Sequence, residues 1–210
     1  MIICKRASGF GDLGIQRRHT SWLSGKTYSW LALICLMSII ASACADEPQT
    51  LSETQIKAGF VFNFARFVEW PESAFVTFTS PFVVCVVGAG PLAELLTETS
   101  VGKAVNGRPF SIKSMKSTDD LRLCHILYLG SLGERQEIRA LEPLKGSSVL
   151  TVSETHGFAP AGGMIGLVVQ ENKLKLEINL EAATHAGLKI SSKLIAISRL
   201  VSRGSALGGH

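Results

Sequence analysis

The residues able to do chemistry are few, and their spacing argues against most reactions. Gly88-Ala89-Gly90-Pro91-Leu92-Ala93 fits G-x-G-x-x-A between a strand pattern and a helix pattern, the position of a dinucleotide fingerprint. That fingerprint needs an acidic residue some twenty positions on to hold a ribose. The chain offers Arg108 there, so the glycines are read as a tight strand-to-helix turn. The five histidines (His19, His125, His156, His185 and His210) stand at no metal-ligand spacing from one another or from a cysteine. Ser153, Glu154 and His156 are near neighbours, but no G-x-S-x-G elbow surrounds the serine. Glu69 beside Trp70-Pro71 is either a functional residue or a solvated helix end, and Phe60, Phe62, Phe64 and Phe67 read as core. No catalytic, cofactor or metal site emerges from the residues alone, which leaves an enzyme of unrecognised type open.

Charge narrows the class further. Of 21 basic and 17 acidic residues, residues 1–45 hold five basic ones (Lys5, Arg6, Arg17, Arg18, Lys26) and one acid, Asp12. The rest of the chain is neutral, which removes the electrostatic case for binding nucleic acid. After Lys26, the segment Tyr28–Ala43 carries no charge. A helix of that length spans only about 24 Å, short for a bilayer core of about 30 Å. A basic region, a short apolar core and Ala43-Cys44-Ala45 together read as an export signal cleaved after Ala45. The alternative is lipoprotein processing at Cys44, which follows Ala41-Ser42-Ala43 in a loose lipobox. An uncleaved anchor is the third reading.

Export changes the meaning of the cysteines. Cys4, Cys35 and Cys44 belong to the leader, which leaves Cys85 and Cys124 in the exported part. An oxidising compartment favours their pairing. A loop of about 40 residues would contribute roughly 3–4 kcal/mol in the chain-entropy account.

The elements that carry these residues alternate. Ser52-Glu53-Thr54-Gln55 is a capping box opening a helix with an apolar stripe of Ile56, Phe60, Phe64 and Phe67, stopped after Trp70 by Pro71. Residues 81–88 and 124–130 are continuous apolar runs, the mark of strands covered on both faces. Arg108–Met115 alternates as another strand, and Ser148–Ser153 is a fourth. Helices are expected from Pro91 to Thr99 and from Ser131 to Leu141. A hairpin is expected over 164–179, turning at 171–173. Asn179 caps a helix closed by Gly187, and a last helix is expected from Ser191 or Ser192 to Gly204. The expected fold is one α/β domain over 46–203, with a mostly parallel sheet flanked by helices, an antiparallel edge hairpin and a flexible tail from Gly204 to His210.

Three long segments resemble the YfiR family. They are Ile56–Pro71 (IKAGFVFNFARFVEWP), Gly157–Leu167 (GFAPAGGMIGL) and Leu176–Leu194 (LEINLEAATHAGLKISSKL). Shorter pieces at 85–88, 102–109 and 124–130 are similar too, so the resemblance spans roughly 52–201. It implies a periplasmic repressor, not an enzyme, that binds the periplasmic sensor region of a membrane-bound diguanylate cyclase and restrains cyclic di-GMP synthesis and biofilm formation. It also implies that the protein can form a homodimer. The best-known member carries two disulfides; this chain has exported cysteines for one, so control through a second disulfide is not carried over. The competing reading is a periplasmic small-molecule binder, with a cleft at Gly88-Ala89-Gly90, Gly130-Ser131 and Ser153-Glu154. For the regulator, alternation around Leu188-Lys189-Ile190-Ser191 puts Leu188 and Ile190 in the core. It points Lys189 and Ser191 outward beside a helix start, as partner-binding residues.

Overall fold

The computed structural model describes residues 52–88, 90–130, 132–170 and 173–204. The expected leader, the cleavage site after Ala45 and Cys44 lie outside the described residues. So do Ser131, the hairpin turn at 171–172 and the tail beyond Gly204.

Ser52 opens α1 (Glu53–Phe67) with the reciprocal capping box: its hydroxyl accepts from the Gln55 amide at 3.2 Å, and the Gln55 side chain accepts from the Ser52 amide at 2.7 Å. The buried face of α1 is Ala58, Val61, Phe64 and Ala65. Ile56 is exposed, and Phe60 and Phe67 are half-buried, so the core stripe is rotated from the expected one. The helix also stops three residues early. Val68 turns extended because β1 (Val68–Glu69) pairs antiparallel with β9 (Lys189–Ile190), a partner 120 positions away that no local signal announces.

The remaining strands form one sheet: β2 (Phe82–Val87), β3 (Ala104–Val105), β4 (Arg108–Met115), β5 (Ile126–Leu129), β6 (Leu150–Ser153), β7 (Ile165–Gln170), β8 (Lys173–Ile178) and β10 (Ser198–Leu200). Their order is β10-β8-β7-β6-β5-β2-β4-β3. Pairings from β4 through β7 are parallel, and the β7–β8 hairpin and the short β3–β4 pair are antiparallel. The fold is therefore the expected α/β domain with a mostly parallel sheet. The hairpin lies one strand in from the margin, because β10 adds in parallel outside β8.

Every residue of β2 is buried, for a simple reason. Val84 and Val86 face α1 and α2 (Leu92–Ser100), while Val83, Cys85 and Val87 face α3 (Glu134–Leu141) and the short 3-10 turn Glu142–Leu144. A strand covered on both sides needs apolar residues at both parities. Two further helices close the chain: α4 (Leu180–His185), capped by Asn179 accepting from the Ala182 amide at 3.0 Å, and α5 (Ser192–Ala196). The expected long last helix is corrected here. After five residues the chain becomes extended, and β10 completes the sheet instead.

Candidate functional site

At the carboxyl ends of β2, β5 and β6 the chain closes a small cavity of about 160 Å³, lined among others by Thr54, Lys57, Gly88, Tyr128, Gly130 and Glu154. These are the strand ends where a ligand cleft was expected. Ligand pockets of ordinary size run from about 300 to 1,000 Å³. The cavity's Lys57, Tyr128 and Glu154 side chains are already partnered. Glu154 accepts from the Tyr128 hydroxyl and from Lys57, and Lys57 also meets Glu53 at 2.6 Å. Burial alone would lower the Lys57 pKa, but the hydrogen bonds and charges of Glu154 and Glu53 outweigh it and hold the ammonium above its usual range. The cluster ties α1 to the end of β6.

Gly88 takes its identity from this junction. Its φ is +110°, and a Cβ added there would stand 1.9 Å from the Gly130 carbonyl oxygen. The glycine of the apparent dinucleotide motif thus lets two strand ends approach. Gly88→Ala should cost about 3 kcal/mol through overpacking and backbone strain. Thermal unfolding checks it, and an unchanged melting temperature would contradict it. Gly163, in the second family-like segment, has a comparable origin: an added Cβ would lie 2.2 Å from the Phe158 ring.

Ser153 and Thr155 turn to the other side of β6. Both hydroxyls donate to the fully buried Glu137 of α3, each at 2.8 Å, and the Thr155 amide donates to the Ser153 hydroxyl at 3.0 Å. Ser153 is therefore engaged by Glu137, while His156 is exposed.

The opposite end of the sheet holds the features that sequence reasoning missed. His125 is buried and stacks on Phe75 at 4.4 Å and Phe82 at 5.0 Å. Its Nδ1 accepts from the Val83 amide at 3.0 Å, which leaves Nε2–H to donate to the Ala74 carbonyl at 3.1 Å. Trp70 donates to the His125 carbonyl at 3.2 Å. Arg108 lies 3.8 Å over the Phe75 ring and donates to the carbonyls of Thr77 (2.7 Å) and Ser80 (3.0 Å). His125 and Arg108 together pin the segment 72–80 across the amino ends of β2 and β5. The contacts join residues 28 to 51 positions apart, so no spacing rule could have found them.

Burial pushes the His125 pKa below 6.5, with the Arg108 charge acting in the same direction against the backbone hydrogen bonds. The unfolded chain therefore binds the proton more readily. The stability that neutral His125 contributes is complete above about pH 6.5 and is lost as the pH falls from there toward the folded pKa. Urea unfolding at pH 7.5 and 5.5 should show a larger acid loss for wild type than for His125→Gln. Equal losses would contradict the assignment.

Cys85 of β2 and Cys124, just before β5, form a disulfide with Cα atoms 5.8 Å apart, since their strands are neighbours. Lys189 is exposed on β9, in register with Glu69. Ser191 does not point outward as alternation suggested. Strand β9 is only two residues long, and Ser191 leaves it for the position just before α5, where its side chain makes no capping hydrogen bond. Its amide donates to the Phe67 carbonyl at 2.8 Å, and its hydroxyl is buried. A helix of five residues also supplies little of the end charge that had been expected to assist Lys189.

Among the described residues no group of three or more His, Cys, Asp or Glu could hold a metal ion, and no helix is long and apolar enough to cross a membrane. The fold and its two braced sheet ends define a disulfide-linked α/β domain with a small polar cavity at its strand carboxyl ends. The chain belongs to the YfiR/HmsC-like family, whose model matches residues 54–199. Membership is consistent with a regulatory role in the periplasm, and the disulfide is consistent with export.

Proposed function

We propose that the chain is an exported, non-enzymatic regulator that binds the periplasmic sensor region of a membrane-bound diguanylate cyclase and represses cyclic di-GMP synthesis. The observation that carries this reading is the family match across 54–199, nearly the whole described domain. On this account the leader is removed after Ala45 and the domain works in an oxidising compartment, where its disulfide persists. N-terminal sequencing of the exported protein tests the first step: a start at Asp46 is expected, and a lipid on Cys44 would replace it with the lipoprotein route.

Lys189 belongs to the partner surface in this reading. It is exposed on a two-residue strand, and its substitution leaves the core untouched. Ser191, its hydroxyl buried, contributes through the backbone that fixes β9. Lys189→Glu should weaken capture of the sensor region while moving stability by no more than about 0.5 kcal/mol. Capture and melting temperature measured on the same variant decide it. Unchanged capture removes Lys189 from the surface, and a large stability loss makes it structural.

The alternative, a small-molecule binder, draws support from the cavity between Lys57, Tyr128 and Glu154. A ligand that co-purifies in native mass spectrometry and is lost in Lys57→Met would favour it over the regulator.

A further inference from the structure

Strand β4 has a partner along its whole length on one side only. β2 pairs with residues 110–115, whereas on the outer side β3 covers just the start, in the register Ala104↔Pro109 and Val105↔Arg108. The Phe110 amide donates to the Lys103 carbonyl at 3.4 Å, and beyond it no strand among the described residues pairs on that side. This bond fixes the parity of the edge. Main-chain groups alternate sides along a strand, so those of Phe110, Ile112 and Ser114 point outward, and those of Ser111, Lys113 and Met115 point to β2. The next outward residue, Lys116, is already closed off. Its amide donates to the Asp119 carboxylate at 2.7 Å, and its carbonyl accepts from the Asp119 amide at 3.1 Å. A window therefore stays open at Ile112 and Ser114, on backbone that is already extended.

A groove of about 340 Å³ runs beside this window on the α2 side, lined by Ala93, Glu94, Thr97, Glu98, Ile112 and Ser114. Ala93 and Ile112 pack against the core and give it an apolar floor. Glu94 and Glu98 are exposed and meet no cation among the described residues. Acids four positions apart on a helix repel each other, so a cation placed between them is favoured. Lys113 belongs to the opposite face of the strand, where it is exposed and likewise makes no ion pair among the described residues.

We infer that the β4 edge is a strand-addition site for an extended segment of a partner protein. That segment carries lysine or arginine on the residues beside α2 and an acidic residue between them, beside Lys113. At such sites main-chain hydrogen bonds give affinity and the flanking pockets give specificity. The apolar stem of a lysine or arginine lies along Ala93 and Ile112, with its charge at Glu94 and Glu98. A second copy of this chain is the wrong occupant. Pairing two β4 edges about this window sets Lys113 against Lys113, and like charges directly opposite are unfavourable. Lysine on an open edge guards against edge-to-edge pairing, and here it admits a strand that brings the complementary acid. The inference does not depend on the regulatory reading and uses none of the residues assigned to that surface.

Titration of the isotope-labelled protein with the peptide acetyl-Val-Lys-Glu-Lys-Val-amide, followed by amide NMR, tests it. Saturable shift changes should centre on Ile112 and Ser114, and hydrogen exchange at those two amides should slow on binding. N-methylation of the peptide's three central amides should weaken binding about tenfold or more, as should a charge-reversed peptide with glutamate for each lysine and lysine for the glutamate. Ser114→Pro removes an outward amide that the pairing with β2 does not use, and edge strands accept proline. It should melt near wild type and bind the peptide about tenfold more weakly. Glu94→Gln with Glu98→Gln changes only exposed side chains and should weaken binding by a similar factor with the strand intact. A wild type that shows no saturable shifts would overturn the inference. So would an N-methylated peptide that binds as well as its parent, shifts that leave Ile112 and Ser114 unmoved, or unchanged binding by the double glutamine variant.

Discussion

Replacing Cys85 and Cys124 together with alanine should lower the unfolding free energy by about 4 kcal/mol, the value the chain-entropy account gives for closing a loop of this length. For a domain of this size that corresponds to a fall in melting temperature of roughly 8–16 °C. The bond joins two neighbouring strands on the face covered by α3, and Cys85 and Cys124 both lie within that apolar cluster. Alanine at both positions leaves small voids but no unpaired polar group, so the loss is dominated by the freed unfolded chain. Cys124 also adjoins the 3-10 turn Leu121–Leu123, and reduction should loosen that turn before the sheet itself opens. Hydrogen exchange in the presence and absence of a reductant reads this directly. A double variant that melts with wild type would show that the bond adds nothing to stability.

The second large effect is expected at Glu137. Its side chain is completely buried and accepts from both Ser153 and Thr155, tying α3 to the end of β6. Glu137→Ala removes the acceptor, strands two hydroxyls and opens a void. A loss of about 3–4 kcal/mol follows from breaking a buried, hydrogen-bonded network at one member. Replacing the network as a unit should be milder: Glu137→Leu with Ser153→Ala and Thr155→Val leaves no orphaned group, and the triple variant should recover much of the loss. Equilibrium urea unfolding of wild type, single and triple variants measures the coupling. Additive losses across the three positions would contradict the network.

Much of the fold was legible because local physics dictates it. The capping box at Ser52, the Asn179 cap, the doubly buried runs at 82–87 and 126–129 and the alternation at 108–115 all became the elements they announce. The failures share one cause. Strands β1, β9 and β10 are two or three residues long and exist only because distant partners receive them, so local periodicity alone makes α1 too long and runs a helix through β10. The two polar centres were hidden for the same reason. Lys57 meets Glu154 across 97 positions, and Val83 meets His125 across 42. In the sequence Arg108 stands out only as the wrong residue for a ribose, whereas in the fold it fixes the turn that displays Phe78. The cysteine pair is readable because taking residues 1–45 as a leader leaves only Cys85 and Cys124 to pair.

The central claim is repression of a membrane-bound cyclase, and cellular cyclic di-GMP reports on it most directly. Cells that lack this chain should hold more cyclic di-GMP than the parent, and the exported wild-type protein should restore the parental level. Supplying Lys189→Glu should restore it less completely at equal abundance. A cyclic di-GMP level that is the same with and without the chain would contradict the account.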